Sequence, residues 1–102
     1  MLEKQIEKRV CDYAKSKGFL AYKFTSPNRA SVPDRLFISE DGFCFFIEFK
    51  RKGGKVTEGQ KREMQRLEDQ RVVVYVVDNI DTGKHIIDAI SMGIIPELGS
   101  MC

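Results

Sequence analysis

Apolar residues near the N-terminus recur at the spacing of one face of a helix. They are Leu2, Ile6, Val10, Tyr13 and Ala14. This period predicts an amphipathic helix over residues 2–17. Gly18 is the expected stop, because glycine commonly follows the last helical residue.

Four shorter apolar stretches have the length and composition of strands. They cover residues 19–25, 35–39, 43–50 and 72–77. The segment Glu40-Asp41-Gly42 separates the second from the third and predicts a tight hairpin. The fourth stretch, V-V-V-Y-V-V, is apolar without alternation, which is typical of a strand covered on both faces.

Two further helices complete the pattern. Thr57 and Gln60 have the spacing of a capping box and predict a helix over residues 57–70. Its only clear apolar anchors are Met64 and Leu67, so most of this helix should face water or a partner. A short helix is expected over residues 82–92. The order α-β-β-β-α-β-α predicts an α/β fold with a mixed central sheet flanked by helices.

Composition limits the class of protein. A chain of 102 residues fits one domain, residues 1–102, and its 42% apolar and 31% charged residues are those of a globular protein. No apolar run approaches the length of a membrane span, and the N-terminus lacks the apolar core of a signal peptide. Three cysteines without a CxxC pair argue against a structural zinc site or a disulfide framework. We therefore expect a cytoplasmic protein.

Positive charge is concentrated between Lys50 and Arg66. This segment holds seven basic and two acidic residues, a net charge of +5 in a chain whose total is +2. Such a stretch fits a nucleic-acid phosphate backbone, although a solvated loop and helix face would have the same composition. The candidate DNA-binding residues are Lys52, Lys55, Lys61, Arg62 and Arg66.

Three charged residues interrupt the apolar strands at their ends. Asp34 precedes the second strand, and Glu48 and Lys50 end the third. Because alternate residues of a strand share a face, Glu48 and Lys50 should project together while Phe49 points into the core. A tight hairpin makes the two strands antiparallel, so Asp34 should lie beside Glu48. Two carboxylates and a backbone carbonyl form a hard oxygen site suited to Mg²⁺ or Mn²⁺.

The same residues read Pro33-Asp34 and, after thirteen intervening positions, Glu48-Phe49-Lys50. The pattern resembles the PD-(D/E)xK nucleases. The closer resemblance is to the virus-type replication-repair nuclease (VRR-NUC) domains, in their compact phage-like stand-alone form. It covers nearly the whole chain, through residues 3–7, 23–27, 32–35, 46–50 and 57–60. It implies a restriction-endonuclease-like α-β-β-β-α-β core.

The resemblance also implies roles for individual residues. Asp34 and Glu48 would be the metal ligands together with the main-chain carbonyl of Phe49, and Lys50 the catalytic lysine. Gln60 matches the glutamine that follows the E-x-K strand in this family, although a helix cap alone would also explain it.

The family also places a glutamate of the first helix at the metal. Glu7 is the expected residue, and Glu3, one turn earlier, is the alternative; both could instead be ordinary acids near a helix N-terminus. Ser31 departs from the family pattern, which usually has glycine before Val32.

The function implied is a Mg²⁺- or Mn²⁺-dependent endonuclease, active on branched DNA such as four-way (Holliday) junctions and assembled as a homodimer. One alternative is a non-catalytic nucleic-acid-binding module on the same fold. Another is a protein-interaction domain that uses helix 57–70 and the apolar tail Ile94, Ile95 and Leu98.

Overall fold

The computed structural model describes residues 1–27, 29 and 31–97. The helices are α1 (Glu3–Ser16), α2 (Glu58–Asp69) and α3 (Ile80–Ser91), and the strands are β1 (Leu20–Lys23), β2 (Arg35–Ile38), β3 (Cys44–Phe49) and β4 (Val73–Val77). The predicted order α-β-β-β-α-β-α is confirmed. No helix in the described part of the chain is long and apolar enough to cross a bilayer.

The four strands form one mixed sheet in the order β1-β2-β3-β4. β1 pairs with β2, and β2 with β3, in antiparallel register; β3 and β4 are parallel. Parallel neighbours need a crossover connection, and α2 provides it. The mixed sheet expected from the sequence is therefore present.

Element boundaries differ from the predicted ones by one or two residues, for local reasons. Phe19 precedes β1 because its amide donates to the Ala14 carbonyl and closes the end of α1. α3 begins at Ile80, two residues earlier than expected, because the Asn79 side chain accepts the amide of Thr82 and caps the helix. Thr57 and Gln60 form the predicted capping box of α2.

One face of the sheet is packed by α1 and α3 and contains the main hydrophobic core. The core side chains that are below 2% exposed include Ile6, Val10, Phe37, Phe45, Ile47, Val77, Ile86 and Ile87. Gly83 lies in α3 where a Cβ would come within 2.5 Å of the Val10 side chain. α1 and α3 therefore pack closely because this position has no side chain.

Among the described helices, α2 alone packs on the opposite face, and the core there is small. Phe46, Met64 and Val74 are its buried apolar residues. α2 packs mainly on β4, at the opposite edge of the sheet from β1, and Tyr22 of β1 is 51% exposed. Ile94 and Ile95, from the tail after α3, are also more than half exposed. Leu98, the third apolar residue of that predicted surface, lies outside the described residues.

Candidate active site

The candidate site lies at the end of the sheet where β2 begins and β3 ends. Arg35 pairs with Ile47, so Asp34 and Glu48, one residue further out on each strand, are neighbours. The amide of Phe24 donates to the Asp34 carbonyl at 2.7 Å and extends the β1–β2 ladder by one residue. Pro33 is fully buried and anchors the chain before Asp34, whose own side chain is exposed. The hairpin thus brings the two predicted carboxylates together.

Lys50 lies on the same face of β3 as Glu48. Its Nζ is 3.9 Å from Oε2 of Glu48, and the two side chains are only 14% and 12% exposed. The amide of Lys50 donates to the Val77 carbonyl, so the parallel partner strand holds the backbone at this point. The ammonium is therefore fixed beside the carboxylates by the sheet.

Glu48 is electrostatically the most perturbed acid of the site. Burial raises its pKa to about 7, with Lys50 opposing the shift and Asp34, Glu3 and Glu7 adding to it through their negative charges. The desolvated carboxyl is thus surrounded by other carboxylates that one lysine does not neutralise. This arrangement favours either a proton or a cation.

Gln60 joins the site to the start of α2. Its Oε1 accepts the Thr57 amide at 2.9 Å, and its Nε2 donates to Oε2 of Glu48 at 3.1 Å. The amide therefore caps the helix at one end and contacts Glu48 at the other, and a role of Gln60 in catalysis stays a prediction. A side chain held at both ends has little freedom to turn, so Gln60 fixes one oxygen of Glu48.

Glu7 reaches the site from α1, but its carboxylate pairs with the guanidinium of Arg35. The pair is partly buried, at 14% and 24% side-chain exposure. Glu3 is exposed, and both acids act on Glu48 through their charge. Whether either one contacts a metal stays a prediction. Arg35 is a site neighbour that sequence reasoning missed, because its partner is 28 residues away.

The loop before Asp34 is held against α2. Ser31 has a φ of +74°, in the left-handed region that favours glycine, so a serine is strained at this position. A Cβ on Gly59 would come within 2.8 Å of Oγ of Ser31, so the loop runs close to the first turn of α2. Arg29 adds an ion pair to the buried Glu63 at 3.1 Å. The sequence did not indicate this pair.

The predicted DNA-binding side chains surround the start of α2 and the preceding loop. Lys52, Lys55, Lys61, Arg62 and Arg66 are all exposed. Lys61 and Arg66 pair weakly with Glu58 and Glu63 of the same helix, at 3.5 and 3.7 Å. The Lys61–Glu58 pair is exposed on both sides and exchanges easily, so Lys61 is free to meet a phosphate, whereas Arg66 pairs at long range with the buried Glu63.

The donor set suits a hard divalent cation. Asp34 and Glu48 are adjacent oxygen donors, and the excess of carboxylates that raises the pKa of Glu48 would be relieved by a cation. Within the described residues, no three Asp, Glu, His or Cys side chains are close enough to hold a metal unaided. Mg²⁺ commonly binds through one or two carboxylates and keeps several waters, so the two donors fit it.

Comparison with known proteins finds similarity in both sequence and structure. No protein-family model matches the chain. A phage protein described as "Putative nuclease p44", from Acyrthosiphon pisum secondary endosymbiont phage 1, is 42% identical over 79 residues, 78% of this chain and 85% of the phage protein. A solved structure described as a VRR_NUC domain superposes with a TM-score of 0.78 at 26% identity, covering 84% of this chain and 94% of that one. The fold class expected from the sequence is thereby confirmed.

Proposed function

The chain belongs to the VRR-NUC family of nuclease domains, and on that basis we propose that it is a divalent-metal-dependent endonuclease that cuts branched DNA. The observation that supports this most strongly is the hairpin register, which makes Asp34 and Glu48 neighbours with Lys50 at 3.9 Å from Glu48. A protein that only binds DNA would not need two acids and a lysine close together at the end of the sheet.

Asp34, Glu48 and the main-chain carbonyl of Phe49 would hold Mg²⁺ or Mn²⁺. When bound, the cation supplies a Lewis acid that offsets charge on the scissile phosphate and makes water a better nucleophile. Its other effect is on the protein, because a cation favours the charged form of Glu48 over the protonated one.

Lys50 and Gln60 position the reacting groups. Lys50 is held by β3 and donates toward the space beside Glu48, where it orients the attacking water and offsets charge that develops on phosphate. Gln60 keeps one Glu48 oxygen engaged, which leaves the other oxygen available. Glu7 pairs with Arg35, and its negative charge, which acts on Glu48, would also favour a cation held by Asp34 and Glu48.

The substrate is held by the exposed cations of the loop and helix after β3. Lys52, Lys55 and Arg62 have no ion pair within the described residues, so they are available for phosphate contacts. Phosphate contacts position DNA without reading its sequence. We therefore propose a structure-selective rather than a sequence-specific enzyme.

Symmetric cutting of a four-way junction requires two active sites. Each chain contributes one site, and a two-fold homodimer would supply both. The mostly polar α2 and the exposed Ile94 and Ile95 are the surface we propose for this contact. The dimer and the junction preference rest on the same argument and are tested together.

The test incubates the protein with linear duplex, flayed duplex and four-way junction of identical arm sequence, with Mg²⁺, Mn²⁺ or EDTA. We expect cleavage only with metal, paired symmetric cuts in the junction, and a dimer in sedimentation. Metal-independent, salt-sensitive binding without cutting would instead identify a binding module. A monomer that cuts linear and branched DNA equally would overturn the dimer and the junction preference while leaving the metal site in place.

A further inference from the structure

The candidate DNA-binding residues lie in the segment 52–66. A second cationic surface lies on the other side of the sheet from this segment. It is a groove of about 390 Å³ between α1 and β1. Its basic side chains are Lys4, Lys8, Lys15, Lys23 and Arg35, and its acidic ones are Glu7 and Asp12. Five cations against two carboxylates give this groove a net charge of +3.

The arrangement follows from helix spacing and strand register. Lys4, Lys8 and Lys15 are separated by four and seven residues, so they share one stripe of α1. Lys23 is the cross-strand partner of Arg35 in the β1–β2 pair, so both lie on the sheet face that α1 covers. The helix stripe and the strand pair therefore form the two walls of one groove.

The two acids of the groove are already neutralised. Glu7 pairs with Arg35, and Asp12 pairs with Lys8 at 2.8 Å. Within the described ranges, Lys4, Lys15 and Lys23 make no ion pair, and all three are exposed. The groove thus presents three lysines with no protein partner.

The groove lies close to the candidate active site along the chain. Arg35 lines the groove and directly follows Asp34, whose side chain lies on the opposite face of the sheet because neighbouring strand residues alternate. Lys4 and Lys15 are eleven residues apart on α1, about 16 Å along the helix axis. That length matches about five nucleotide steps of one DNA strand.

We propose that the α1–β1 groove is a second phosphate-binding track, which holds the DNA backbone on the far side of the cleavage site from segment 52–66. The proposal rests on the proposed function for its ligand, DNA, and extends it by a surface that sequence reasoning did not identify. DNA gripped on both sides of the acid cluster would bring the scissile phosphate to carboxylates that would otherwise repel it.

The experiment compares two variants that lose the same charge. In the groove variant Lys4, Lys15 and Lys23 become Gln; in the control variant Arg9, Lys17 and Lys84 become Gln. Arg9 is exposed on α1 outside the groove, and Lys17 and Lys84 lie over the Tyr13 ring. Binding of fluorescent linear duplex and four-way junction is measured by anisotropy across a salt series in EDTA, and folding is checked by thermal melting.

We expect the groove variant to lose at least about tenfold in affinity and to reduce the salt slope by about 2–3, since each phosphate contact contributes about 0.9. The control should bind within about twofold of the wild type. A third variant with Arg at positions 4, 15 and 23 should bind as the wild type does, because it keeps the charge. Equal losses in the groove and control variants, or no loss in either, would overturn the proposal.

The binding assay tests the groove and the cleavage assay tests the nuclease function, so either claim can be overturned without the other. If the wild type does not cut DNA with Mg²⁺ or Mn²⁺ but only the groove variant loses binding, the nuclease function is overturned and the groove stands. If the wild type cuts DNA and the groove variant binds normally, the groove proposal is overturned and the nuclease function stands.

Discussion

The two faces of the sheet bury different kinds of residue. One face lies under α1 and α3, and the other lies under α2. On the first face, the buried side chains are almost all apolar and come from two helices and the strands β2, β3 and β4. On the second, three apolar residues are buried together with the acids Glu48 and Glu63. Phe45 and Phe46 are adjacent in β3 and point into these two environments.

The difference shows how a small domain can stay folded although its site contains charges that reduce stability. Burying Glu48 beside other carboxylates opposes folding, because burial and like charges both disfavour the ionised form. The first face has enough apolar burial to offset that cost, so the second face can hold converging charges at the end of the sheet. Predictions that separate the two faces test this division.

The largest effect is expected at the carboxylates of the second face. Asp34→Asn and Glu48→Gln should each reduce metal-dependent cleavage at least about a thousandfold while the protein stays folded, because each removes charge that holds the cation. The measurement is single-turnover cleavage of branched DNA. Glu58→Gln, an exposed acid at the start of α2, is the control and should cut normally. Substantial activity in either site variant would contradict the assignment.

The next largest effect is expected in the core of the first face. Phe45→Ala should lower the free energy of unfolding by about 3–5 kcal/mol, because it leaves a cavity in closely packed surroundings. Phe46→Ala should cost roughly 2 kcal/mol less, because Phe46 is 8% exposed and belongs to the smaller core on the α2 side of the sheet. Urea unfolding measures both. Equal losses would mean that the two faces contribute alike to stability.

Lys50→Ala should reduce the cleavage rate by about 10²–10³-fold with little change in stability, because Lys50 acts on the charge of the reacting groups and not on packing. Lys52→Ala, two residues away and fully outside the site, is the control and should change DNA affinity more than rate. A near-normal rate with Lys50→Ala would remove this lysine from the mechanism.

The smallest effect concerns pH. The pKa of Glu48 lies near 7 against an ordinary 4.5, so between those values the folded protein keeps a proton that the unfolded chain releases. Stability in EDTA should therefore fall as pH rises from about 5 to 7, by about 1–2 kcal/mol after allowance for solvent screening. Glu48→Gln should remove this slope and be more stable than the wild type at pH 8, as thermal melts can show. A less stable Glu48→Gln at pH 8 would contradict the raised pKa.

Several contacts of the site could not be read from sequence. Arg29 and Glu63 are 34 residues apart, and Arg35 and Glu7 are 28 apart. Their pairing depends on how helices pack on the sheet, and no local spacing indicates it. Nor does any local spacing align the lysines of α1 with Lys23. Tyr22 shows the same limit: it is an aromatic residue in a strand but is 51% exposed, because α2 packs on β4 at the other edge of the sheet.

The sequence by itself determined the elements, the hairpin and the pairing of Asp34 with Glu48. These depend on apolar period, turn residues and antiparallel register, all of which act over a few residues. The tertiary structure alone decided which surfaces face each other: Gln60 against Glu48, Arg35 against Glu7, and α1 against β1 to form the cationic groove. The physical reason is that such contacts arise from the packing of whole elements, whose angle and offset depend on every side chain between them.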